Sequence, residues 1–158
     1  MLRLLHRAKA NEHGFTLIEL LATVLILGIL FGIASSTWFR VIQSRQVDSA
    51  TNQLVADLRL ANSKATNRLV PYRIVLTNNS SDYQFGPAGN TTVQTLPDEV
   101  KTTTTSSPKT IEFQTNGSVT GVTGAADEII ISKTSFGGIT TQHGVSIQPA
   151  TARIKIDS

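Results

Sequence analysis

The sequence predicts an α+β protein: a long N-terminal helix, its first half suited to a membrane, packed against an antiparallel β-sheet or small sandwich. Three observations carry this. Phe15 to Phe39 is apolar, with no proline and one charge, Glu19. From Val47 to Ala65, apolar residues return at three- and four-residue steps. Beyond Pro71, short strand-like stretches alternate with turn residues about every 8–12 positions.

The bulk numbers fit this plan. The chain has 158 residues, enough for one modest soluble core beside a membrane segment. It contains no cysteine, which excludes disulfides, thiolate chemistry and cysteine metal sites. Without residues 1–14, which hold Arg3, Arg7, Lys9 and Glu12, the formal charge falls from +3 to +1. The basic character therefore belongs mostly to the leader and does not describe a general nucleic-acid surface.

The apolar run from Phe15 exceeds the ~20 residues a helix needs to cross the hydrocarbon core. Arg3, Arg7 and Lys9 before it place the N-terminal side in the cytoplasm, although Arg40 and Arg45 stand just past the other end. Three readings compete: a plain anchor, a signal peptide cut near Ala34-Ser35-Ser36, and a short leader cut between Gly14 and Phe15. The apolar run is longer than the usual signal-peptide core. Only the third reading accounts for Glu19. A carboxylate costs about 2.5–3.5 kcal/mol at the bilayer centre, and less near the interface. Cutting after Gly14 creates an α-amine on Phe15, about one helical turn away. In packed helices, the Glu19 of one subunit can pair with the amine of its neighbour.

Gly14-Phe15-Thr16-Leu17-Ile18-Glu19, preceded by a basic leader and followed by an apolar run, resembles the type IV prepilin signature of pilins and type II secretion pseudopilins. The resemblance implies that a prepilin peptidase cuts between Gly14 and Phe15 and methylates the Phe15 amine. It also implies that Glu19 guides the subunit into a helical filament of other pilins, built on an inner-membrane assembly platform. The expected segments are a leader at 1–14, a transmembrane and filament-core helix at 15–39, an amphipathic extension at 40–70 and a β-rich head at 71–158. The expected location is the cytoplasmic membrane, single-pass with the head outside, and then an extracytoplasmic filament.

The extension continues the helix to about Arg68. Val47, Ala50, Leu54, Leu58, Ala61 and Ala65 form one apolar face. Arg45, Asp48, Asp57, Arg59, Lys64 and Arg68 lie mostly off it and read as a solvated face. Pro71 supplies the stop. The stretch Leu54 to Arg68, running through Val70-Pro71 into a strand, is similar to the GspH/FimT branch of minor pseudopilins. The second arginine usual in that branch is replaced by Lys64, offset by one position.

In the head, Tyr72–Thr77 and Tyr83–Phe85 read as strands around the turn cluster Asn78–Asp82. Residues 91–110 read as one or two weak strands with a loop around Thr102–Ser107. Ile111–Thr115 and Ser118–Thr120 flank Asn116-Gly117, which suits a type I′ turn. Asp127-Glu128 reads as an exposed strand start, followed by a strand to Ser132. Val145–Ile147 and Ala152–Ile156 form a closing hairpin.

No enzyme chemistry is legible. His6 and His13 lie in the leader, and His143 reads as a loop residue. There is no nucleophile motif, phosphate loop or metal-spaced cluster, so no catalytic residue, metal or cofactor is expected. One feature can bind a partner. Arg153 and Lys155 are two apart on a strand and share a face, where two cations can contact phosphates. In FimT-type proteins of natural transformation, a C-terminal Gly-Arg-x-Arg element binds DNA. Here Ala152 stands for the glycine and Lys155 for the second arginine, and Asp157 opposes the cations. DNA uptake and a plain solvated strand remain alternatives for this face.

Overall fold

The computed structural model describes residues 15–122, 127–134 and 138–157. The chain divides into two units, Met1–Phe39 and Arg40–Ser158. One helix, α1 (Leu17–Arg68), begins in the first unit and ends in the second.

In the first unit, α1 starts at a capping sequence. The Glu19 N–H donates to the Thr16 carbonyl at 3.1 Å and to its Oγ1 at 3.3 Å. Thr16 is therefore the N-cap of α1, its hydroxyl accepting from the N–H three residues on. The side chains from Phe15 to Ile33 are all exposed, including Phe15, Leu17, Leu25 and Phe31. A helix apolar all round belongs in lipid or among other chains, and this one is long and apolar enough to cross a membrane.

In the second unit, the predicted apolar face of α1 is the core. Val47, Ala50, Leu54, Leu58, Ala61 and Ala65 are each 0% exposed. Thr51 and Val55 widen the stripe; the Thr51 hydroxyl donates to the Val47 carbonyl at 2.7 Å. The helix ends because Leu69 takes a left-handed conformation, φ +54°. That is the conformation of a helix C′ residue, usually glycine. Pro71 then leads directly into the first strand.

The strands are β1 (Tyr72–Leu76), β2 (Asp82–Pro87), β3 (Thr92–Thr95), β4 (Lys101–Thr103), β5 (Lys109–Phe113), β6 (Val119–Thr120), β7 (Ile129–Thr134), β8 (Thr140–Gln148) and β9 (Arg153–Asp157). They form a five-stranded sheet, β3-β2-β1-β5-β6, and a four-stranded sheet, β4-β7-β8-β9. Neighbouring strands are antiparallel throughout. Strand alternation supplies the core: Tyr72, Ile74 and Leu76 are buried, and Ile74 lies opposite both Phe85 and Ile111. The second sheet contributes Ile129, Ile131, Val145 and Ile147. The contacts that stitch the sheets together include a bridge between Ser80 and Thr102, and the Val119 N–H on the Pro149 carbonyl at 3.1 Å. The α+β reading and the closing hairpin stand.

Four local expectations are corrected. Thr102 is not loop but the buried centre of β4, its hydroxyl at 3.2 Å from the carbonyls of Thr77 and Ser80. A polar side chain can be buried there because both acceptors are supplied by the neighbouring turn. The hairpin at Asn116-Gly117 is not type I′. Gln114 N–H donates to the Ser118 carbonyl and only Gly117 takes positive φ, +83°. That leaves a three-residue loop with glycine in the left-handed position. His143 lies within β8, opposite Ile131. Asp127 is buried at 7% exposure, because Lys109 reaches it from β5.

Candidate functional site

The N-terminal candidates are Gly14, Phe15 and Glu19. Gly14 lies outside the described residues. Phe15 is exposed, and Glu19 is exposed in the first turn of α1. The helix N-terminus carries partial positive charge, so a carboxylate in this turn is stabilised by about 0.3–1 kcal/mol where water screens it. Glu19 therefore gives its backbone N–H to the Thr16 cap and presents its side-chain charge at the start of an apolar helix.

The charges expected to be solvated on the second half of α1 prove to be divided. Arg45, Arg59 and Arg68 are exposed. Asp57 instead accepts a hydrogen bond from the Tyr83 hydroxyl on β2. Burial, and then the Asp57 carboxylate, push the Tyr83 phenol well above its usual pKa. Gln53 donates to the Thr95 carbonyl at 3.3 Å and to the Tyr83 oxygen at 3.4 Å. The Lys64 ammonium stands 5.4 Å from the Phe85 ring centre and 5.8 Å from that of Tyr72, within cation–π range. Toward the four-stranded sheet, Asp48 Oδ1 meets His143 Nε2 at 2.8 Å. The buried Gln43 amide donates to the carbonyls of Lys133 and Ile139. The polar flanks of the helix thus hold the two sheets. Sequence reasoning missed these roles because a contact from a helix flank to a strand leaves no periodic signal. Asp57, immediately before Leu58 of the buried stripe, was the nearest hint.

Arg153 and Lys155 lie on β9, an edge strand, and both are exposed on one face. Asp157 shares that face and accepts from the Ser146 hydroxyl at 2.9 Å. A shallow depression of about 410 Å³ is lined by Lys155, Asp157, Glu128, Ser146 and Gln148. Glu128 lies over Gly144, where a Cβ would meet its Oε1 at 1.5 Å. The two cations are thus flanked by two carboxylates, which weakens their field toward phosphate. Among the described residues, no three His, Asp or Glu side chains come together as a metal site.

An apolar N-terminal helix with an acidic first turn, long enough to cross a membrane and continuing into a β-rich head, defines a pilin-like α+β fold. Residues 9–35 match the prokaryotic N-terminal methylation motif, and residues 50–151 match the family described as Type II transport protein GspH. The chain belongs to the GspH family and carries the prepilin-type motif. No curated protein and no solved structure matches it.

Proposed function

We propose that the chain is a structural subunit of a type IV pilus or type II secretion pseudopilus, processed by prepilin peptidase between Gly14 and Phe15. Residues 1–14 are the leader, 15–39 the membrane and filament-core helix, 40–70 its amphipathic extension and 71–158 the head. After cleavage and methylation of Phe15, Glu19 pairs with the N-terminal amine of a neighbouring pilin, and helix packing on the assembly platform draws the subunit out of the membrane. Before assembly, the N-terminus faces the cytoplasm and the head lies outside. One observation carries this reading: a carboxylate exposed in the first turn of a helix whose other side chains, through Ile33, are almost entirely apolar. Such a charge is retained where it has a partner. N-terminal sequencing of the mature protein tests the cut: methylated Phe15 supports it, and a start near Ser36 removes it. Loss of Glu19→Ala from sheared filaments, with processing intact, tests the pairing.

A second reading, a DNA-binding subunit for uptake in transformation, is favoured by Arg153 and Lys155 side by side on an exposed edge strand. It ranks second because Asp157 and Glu128 stand beside them. A mobility-shift titration against salt tests it. Binding that survives Arg153→Ala/Lys155→Ala unchanged clears those residues.

A further inference from the structure

Lys109 opens β5 in one sheet, and Asp127 stands two residues before β7 in the other. Their side chains are 3% and 7% exposed, and the lysine Nζ contacts Oδ1 of the aspartate. The Thr105 hydroxyl donates to the same oxygen at 2.9 Å. Lys109 is opposite the buried Leu76 and alternates with Ile111 and Phe113, so it lies on the core side of its sheet. A surface cation would not be placed there. Taking both charges out of water is costly, and their attraction repays this only in part. Neither residue has a part in processing, filament packing or the β9 surface, and no disulfide can join the sheets.

We propose that Lys109 and Asp127 are the site of an intramolecular amide cross-link between Nζ and Cγ. The reaction is a condensation that balances within the pair. A proton passes from the ammonium to Oδ2 of the carboxylate. The freed amine attacks Cγ, forming the C–N bond. The Cγ–Oδ2 bond then breaks, and that oxygen leaves as water with a second proton from nitrogen. An ammonium and a carboxylate become a neutral amide and one water, with no oxidant or activating group. Thr105 supplies a hydrogen bond to Oδ1, the oxygen that gains negative charge in the tetrahedral intermediate. Burial favours the product, because it exchanges two desolvated charges for a neutral group. The bond closes the chain between residues 109 and 127 and constrains the unfolded state as a disulfide does.

The test uses the wild-type chain, purified from membranes in detergent, denatured and digested with trypsin. Without the bond, trypsin cuts after Lys109 and releases peptides 102–109 and 110–133. With the bond, the lysine has lost its charge, the cut fails, and peptide 102–133 appears lighter by one water. Fragmentation then places the loss across residues 109 and 127. Lys109→Arg restores cleavage and full mass. Complete cleavage after Lys109 at full mass overturns the proposal. So does a water loss confined to a single aspartate. The wild-type digest decides even if the variant does not fold.

Discussion

The Tyr83 hydroxyl donates to Oδ2 of Asp57, tying the first hairpin of the head to the helix through a neutral donor and a charged acceptor. Tyr83 is almost wholly buried, so its oxygen is satisfied by this contact and by Gln53. Four predictions test this and other local relationships.

Tyr83→Phe removes a hydrogen bond to a charged group and leaves Asp57 short of a donor. The expected loss is about 1.5–3 kcal/mol in urea unfolding of residues 40–158. The pH dependence has a definite sign. The folded phenol titrates above its unfolded value of about 10. The folded state therefore keeps the proton that the unfolded state loses. This stability is fully present below about pH 10 and is lost as pH rises through the folded pKa. Tyr83→Phe abolishes that alkaline component; an unchanged alkaline limb would assign it to other groups.

Glu19→Gln tests the charge of Glu19 apart from its size. The Thr16 cap uses the backbone N–H of residue 19, so the variant keeps the helix start and loses only the charge. It is expected to be processed normally and to be absent from sheared filaments, as Glu19→Ala is. Thr16→Val loses the cap, worth about 0.5–2 kcal/mol, but keeps the charge and should still assemble. Immunoblots of the sheared and membrane fractions compare all three. Normal incorporation of Glu19→Gln would remove the Glu19 charge from assembly.

Leu69 is an exposed leucine at φ +54°. A left-handed leucine costs roughly 1–2 kcal/mol that glycine avoids, partly offset by glycine's greater unfolded entropy. Leu69→Gly should raise the unfolding free energy by about 0.5–1 kcal/mol. A lower urea midpoint would show that the leucine side chain has a compensating contact.

Gly121 and Gly144 look alike as crowded glycines, yet they should respond differently. A Cβ at Gly121 would meet the Thr110 carbonyl oxygen at 1.8 Å, at φ +82°. Backbone cannot yield, so Gly121→Ala should cost at least about 2 kcal/mol from strain and overlap. At Gly144 the obstacle is the end of the Glu128 side chain, which can swing away. Gly144→Ala should cost under about 1 kcal/mol, and Glu128→Ala should remove most of that. Thermal melts of the single and double variants measure the difference.

Periodic features were legible in advance. The buried stripe from Val47 to Ala65, strand β1 and the closing hairpin all follow from spacing that one helix turn or one pleat imposes. Features built by distant partners were not. Asp127 reads as a surface charge until Lys109 is brought to it, and His143 reads as loop until β8 is seen to pair on both sides. Thr102 lies in a polar run whose burial depends on carbonyls of the turn after β1.

By itself, the sequence determined the apolar N-terminal helix with its acidic first turn and the amphipathic extension. These depend on residues within a few positions of one another, so local patterning suffices. Only the tertiary structure decided that strands divide between two sheets. It also decided that Asp48, Asp57 and Lys64 face the head while Arg45 and Arg59 face away, and that carboxylates flank Arg153 and Lys155. Those outcomes depend on which remote side chain supplies the opposite charge, ring or hydrogen bond, and linear order does not encode that proximity.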